Sequence, residues 1–185
     1  LENFDGDFIW DELSEIGLSS WICGSMNTKF KDGFLGSFLP DPWSTSTSPY
    51  PATKFDLYYD FIKASVQGGG ANGGVSKKDF IIYMLKNGLS IKSIFKIVKQ
   101  LITEVCSKDS SWKRAMILDW IQFDLFKYHL KKSNNISFST FFSNSVAHFQ
   151  HHYWRDMEPT LFGDEDKPSN KKDAILIAYK NMDDI

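Results

Sequence analysis

The chain has 185 residues, with 42% hydrophobic, 24% charged and 16% aromatic side chains, a load carried by six Trp, seven Tyr and sixteen Phe. That is enough to bury a sizeable core, and too apolar for a disordered chain. Its 21 Lys and Arg against 23 Asp and Glu leave a formal charge of −2, which offers no basic field for a phosphate backbone and argues against nucleic acid as a partner. No apolar run approaches the ~18 residues that cross a bilayer, so no membrane partner is expected. Cys23 and Cys106 make no disulfide framework and suit a reducing compartment. With no signal peptide in view, the expected location is cytoplasmic. The chain opens on Leu1 and closes on Ile185 within an apparent helix, which reads as a piece of something longer.

Asp5 to Ile16 reads as an amphipathic helix with Phe8, Ile9, Leu13 and Ile16 on its apolar side and Gly17 as its stop. Leu18 to Ser25 is a short apolar run between small residues, suited to a buried strand. From Asn27 to Pro51 the periodicity dissolves into Pro-rich and Ser-rich loop material, in which Trp43 either pins the loop or lines a pocket. Asp56 to Val66 is helical. The glycine tract 68–74 lacks the Lys-Ser/Thr ending of a phosphate-binding loop and reads as a connector.

Ser76 predicts an N-cap for a helix through Asn87, with Asp79 in its first turn and Gly88 after its end. Ser90 opens the next helix, where Ile91, Ile94, Phe95, Val98, Leu101, Ile102 and Val105 form a 3.6-residue stripe for the core, with Lys92, Lys96 and Lys99 toward water. Ser111 is expected to cap a third helix, Trp112 to about Lys131, apolar nearly all round and therefore expected in the middle of a core. Ile136 to Phe142 alternates as a strand should, and is expected to be buried. Lys171 to Asp184 is a last amphipathic helix with Ile175, Ala178, Tyr179 and Met182 on one side. The fold class expected is a helix-rich α/β chain in three parts: 1–52 as α/β core with a long loop, 53–132 as a helical insertion resembling a cap, and 133–185 as a return to the α/β core.

Three of the four histidines, His148, His151 and His152, stand together after the last strand. Spacings of three and four residues present two imidazoles to one metal from a helical turn. In open α/β sheets, ligands bind beyond the carboxyl ends of strands. Asp156, Glu158, Asp164, Glu165 and Asp166 follow closely enough to complete a shell. The competing reading packs these imidazoles inertly among Phe149, Tyr153 and Trp154. His129, mid-helix, reads as structural. Cys23, within a strand, reads as a small buried hydrophobe rather than a nucleophile. No Gly-x-Ser-x-Gly elbow is present.

Several stretches resemble the alkaline phosphatase superfamily, in its branch of type I phosphodiesterases and nucleotide pyrophosphatases. They are Phe8-Ile9-Trp10-Asp11-Glu12-Leu13 with Gly17, the segment Cys23-Gly24-Ser25-Met26-Asn27, and Phe38-Leu39-Pro40-Asp41-Pro42-Trp43 with Tyr50-Pro51. The strongest is Phe141 to Arg155, similar to a metal-site stretch, followed by a tail ending in Tyr179, Asp183 and Asp184. The resemblance covers about the first and last 50 residues. It implies a partial α/β/α sandwich segment with a helical insertion, a two-metal zinc site, and a small-molecule phosphoester or sulfate ester as substrate. By that match His151 is a metal ligand. Ala147 stands where many relatives carry an Asp, so His148 or an acid from elsewhere takes that part. The family's nucleophile segment and its other ligands have no counterpart in the chain, which is expected to be inactive alone. Two other readings stay open: a non-enzymatic helical interaction module with an aromatic binding surface, and a mononuclear metal-binding protein.

Overall fold

The computed structural model describes residues 6–45, 47–67, 74–162 and 171–185. The expected connector at 68–73 and the carboxylates of 164–166 lie outside the described residues. The chain is a helix-rich α/β protein. In order it forms α1 (Ile9–Glu15), β1 (Ser19–Cys23), β2 (Gly36–Leu39), α2 (Ala52–Val66), α3 (Lys77–Lys86), α4 (Ile91–Cys106), α5 (Ala115–Lys132), β3 (Ile136–Phe141), α6 (Asn144–Met157) and α7 (Ala174–Asp183). 3-10 segments occupy Lys108–Arg114 and Pro159–Leu161. Among the described residues no helix is long and apolar enough to cross a membrane. The chain divides into two compact units, one of residues 1–90 and 124–142, the other of residues 91–123 and 143–185. Each unit therefore draws on the expected helical block of 53–132.

In the first unit, β1 is the middle strand of a parallel sheet ordered β2-β1-β3. Strand alternation gives it two different faces. Ile22 joins Trp10, Phe34 and Phe38 in one cluster. Trp21, on the other face, stacks on Phe55 of α2 at 5.1 Å and on Phe126 of α5 at 5.9 Å between ring centroids. Its indole N–H donates to the Phe126 carbonyl at 3.0 Å, so the ring is buried without stranding its donor. α3 extends this packing through Phe80, stacked on Phe61 at 3.9 Å.

Register depends on Gly36. Its φ of +135° lies outside what L side chains adopt, and a Cβ there would stand 1.9 Å from the Ser20 carbonyl oxygen. β2 stands inside the loop material expected from Asn27 to Pro51, where no periodicity signals a strand.

α1 begins later than the spacing predicts, and its apolar pattern is not its buried side. Trp10 and Asp11 are buried while Ile9 and Ile16 are exposed. The reason is Asp11, which accepts the Phe8 amide at 3.2 Å and the Lys31 amide at 2.9 Å. Hydrogen bonds that satisfy two backbone donors turn this carboxylate inward. β3 alternates as expected, but it is a half-buried edge strand with Ser137 and Ser139 exposed, not a fully buried one. α3 follows its caps: Ser76 Oγ accepts the Asp79 amide at 3.0 Å.

In the second unit, Met116, Trp120, Phe149, Ile175 and Ala178 make the core. Trp112 packs on Phe149 and Tyr153 at 5.3 and 5.5 Å. α7 buries Ala174, Ile175, Ala178 and Asn181, whereas Tyr179 and Met182, expected on its inner side, are exposed. Asn181 takes the place they would have had, because its Oδ1 accepts the Trp120 indole N–H at 2.5 Å. The largest departure is α4, treated below: Ser93, Gln100 and Glu104 are buried and the apolar stripe faces outward.

Two expected outcomes follow. Gly36→Ala should cost at least about 2 kcal/mol of unfolding free energy in urea titration, from the left-handed backbone and the carbonyl clash together. His129, buried against Phe55 and Trp21, has its pKa pushed down to about 4 by burial and then by Lys54 and Lys132. A group kept neutral in the fold but free to protonate when unfolded loses stability as pH falls. Stability should therefore drop on the order of 2–3 kcal/mol between about pH 6.5 and 4, and His129→Leu should flatten that part of the curve.

Candidate functional site

The histidine cluster is set by how α6 starts. Asn144 opens the helix directly after the turn from β3, and its first amides need acceptors. Asp119 of α5 supplies them. Its carboxylate accepts the Asn144 amide at 2.9 Å, the Ser145 amide at 3.3 Å, the Ser143 hydroxyl at 2.6 Å and the Ser145 hydroxyl. Burial pushes the Asp119 pKa up, against the pull of those hydrogen bonds. A negative charge at a helix N-terminus is favourable for the same reason that its amides are unpaired. The side chain is 1% exposed, so this cap is internal to the unit.

From that start, 3.6-residue spacing settles which residues point inward. Ser145, Phe149 and Asp156 are buried, with Phe149 in the core. His148 is half-buried beside them, and His151 and His152 are exposed. The structure brings His148 and His152 together, one turn apart, with ring centroids 4.4 Å apart. Burial first, then the neighbouring His152 and His151, lowers the His148 pKa and favours its neutral form at neutral pH. Neutral imidazole is the form that ligates a metal. His148 also contacts the Phe149 ring at 5.8 Å, and His152 the Tyr153 ring at 6.2 Å.

The acids expected around this pair divide. Asp156 is turned into the unit, where Oδ2 accepts the Lys171 amide at 2.8 Å, and it does not extend the imidazole pair outward. Glu158 is exposed past the end of α6. Among the described residues no group of three or more His, Cys, Asp and Glu side chains could hold a metal ion. The described residues thus place two imidazoles side by side on α6 with no carboxylate or thiol completing a group around them.

Elsewhere, Cys23 is fully buried at the end of β1, and burial raises its thiol pKa, which removes it as a nucleophile. Trp43 is 41% exposed, while the loop around it is held from beneath: Asp41 Oδ1 accepts the Trp43 amide at 2.9 Å and Gln67 donates to the Pro42 carbonyl at 2.8 Å. One pair was not legible in the sequence. Ser25 and Thr140, beyond β1 and near the end of β3, place their hydroxyl oxygens 3.0 Å apart. Only the parallel pairing of the two strands, 115 residues apart in sequence, could reveal it.

Compared with family models, with characterised proteins and with solved structures, the chain matches none.

Asp119→Ala should destabilise by about 3 kcal/mol in chemical denaturation, because two amides and two hydroxyls lose a buried acceptor at once. Asp119→Asn keeps the shape and one acceptor oxygen, and should cost less. Loss of helical circular dichroism in the alanine variant would be confined to the fraction α6 contributes.

Proposed function

We propose that the chain is part of a metal-dependent hydrolase of phosphoesters or sulfate esters, of the alkaline phosphatase type, with His148, His151 and His152 as the candidate ligands to a zinc ion. The observation that carries this reading is the imidazole pair one helical turn apart, with His148 held toward its neutral form. The resemblance of residues 141–155 to a metal-site stretch of that superfamily, which implies His151 as a ligand, supports it further.

A zinc ion held by these imidazoles would supply Lewis-acid chemistry toward an ester oxygen or an attacking water. This chain's own contribution is narrower. Asp119 fixes the first turn of α6, Phe149 anchors the helix in its core, and those two constraints fix the rotation that presents His148 and His152 together. Preorganised ligands cost little ordering on binding. Two donors give a partial shell, so full turnover calls for groups beyond the described residues.

A second reading is a metal-binding protein with a mononuclear histidine site. It needs only the same pair, and it differs in having no hydrolytic partner groups.

Zinc titration by calorimetry tests both. One ion should bind near pH 7, and binding should fade as pH drops and protons compete for the imidazoles. His148→Ala and His152→Ala should each weaken binding by about tenfold to a hundredfold, with His151→Ala weaker in effect unless it too ligates. Absence of zinc binding, or binding indifferent to both His148→Ala and His152→Ala, defeats the metal reading. Hydrolysis of bis-p-nitrophenyl phosphate or p-nitrophenyl sulfate separates the two: zinc binding with no turnover in any longer form of the protein supports the mononuclear site.

A further inference from the structure

α4 is amphipathic, yet its polar side is the one that packs. Ser93, Gln100 and Glu104 are buried, and Glu104 accepts hydrogen bonds from Arg114 Nε at 3.0 Å and from Gln100 at 2.9 Å. The outward side carries Ile91, Phe95, Val98, Leu101, Ile102 and Val105, exposed between 45% and 87%. At roughly 60–120 Å² of apolar side-chain area apiece, that is a few hundred Å² in one stripe, the size at which an exposed patch marks an interaction site.

The stripe has a heptad spacing. Ile91, Val98 and Val105 stand seven apart, as do Ile94 and Leu101, over a helix about 24 Å long. β-branched side chains at the first position and Ile or Leu at the second make a seam for another helix, knobs into holes. Phe95 and Ile102 widen the stripe on one side, as far as Lys92 and Lys99, both exposed. The opposite border turns into the protein at Ile97 and Ser93. Lys96 is half-buried with its ammonium over the Trp120 ring at 5.3 Å. α4 has one carboxylate, Glu104, and Arg114 already neutralises it; that pairing holds its pKa below the usual carboxylate range. Nothing acidic on α4 answers its exposed lysines; Lys92 donates to the Asp184 backbone carbonyl at 2.8 Å, which neutralises no charge and leaves further N–H donors for a partner.

We propose that this face of α4 is a docking surface for an amphipathic helix with an apolar heptad stripe and an acidic border, which lies along Ile91, Val98 and Val105 and sets its carboxylates against Lys92 and Lys99. Charge selects that occupant over a second copy, whose own α4 would bring lysines and a neutralised glutamate. Composition selects it over a lipid surface: the stripe is mostly β-branched, with no Trp or Tyr, and its cations flank one side only.

The probe is a labelled synthetic peptide of three heptads with Ile and Leu in the seam and Glu at both flanking positions, and its counterpart with Lys at the flanks. The acidic peptide should bind, roughly tenfold or more tighter than the lysine peptide, and more weakly as salt rises. Lys92→Glu with Lys99→Glu should reverse the preference. Phe95→Ser with Ile102→Ser should abolish binding and leave the melting curve in place, because both positions are exposed. Equal binding of both peptides, or of neither, overturns the proposal. So does concentration-dependent dimerisation in sedimentation that the serine variants abolish, or binding to phosphatidylcholine/phosphatidylserine vesicles in place of the acidic peptide. A large fall in melting temperature in the serine variant would show that the face is internal and would also overturn it.

Discussion

The first unit depends on β1 being paired on both sides. A central parallel strand has both rows of backbone hydrogen-bonding groups committed, so its side chains must satisfy two apolar layers at once. Five residues do this. Trp21 fills one layer, against Phe55 and Phe126, and Ile22 fills the other, against Trp10 and Phe38. Cys23 closes the strand in full burial, which pushes its thiol pKa up and disfavours the thiolate. Gly36 permits the close approach of β2 that this arrangement needs. His129 is drawn into the same layer, and its low proton affinity is a consequence of where Trp21 and Phe55 sit.

The second unit is organised by buried carboxylates and an amide rather than by a sheet. Asp119 caps α6, Glu104 ties α4 to the turn at Arg114, and Asn181 receives the Trp120 indole. Burying such groups is tolerated when each acceptor is filled. Here each one orients a helix, and the two surfaces of functional interest follow from those orientations. Asp119 aims the histidines of α6. Glu104, with Gln100 and Ser93, commits the polar side of α4 to the interior and leaves its apolar side for something else.

Polar anchoring of this kind is where periodicity reasoning fails. A hydrophobic stripe on an isolated sequence is assigned to the core, because burial of apolar area dominates the average case. α4 inverts that rule through Glu104 with Arg114, while α1 and α7 depart from it in part, through Asp11 with two backbone amides and Asn181 with Trp120; α7 still buries Ile175 and Ala178 as expected. Those partners lie between 3 and 61 residues away in sequence, and no window along a helix contains the longer-range ones. β2 escaped for a different reason, since a four-residue strand within a long loop has too few alternations to register.

The amino-acid sequence by itself determined the helix-rich α/β class, the Ser76 cap of α3, the alternation of β3 and the helical spacing of His148, His151 and His152, because each is written in neighbouring residues. Tertiary structure decided which side of each helix is buried, that Asp156 turns inward, and that Ser25 meets Thr140. These depend on partners distant in the chain, and a hydrogen bond to a buried carboxylate or indole can outweigh the local preference of a whole apolar stripe.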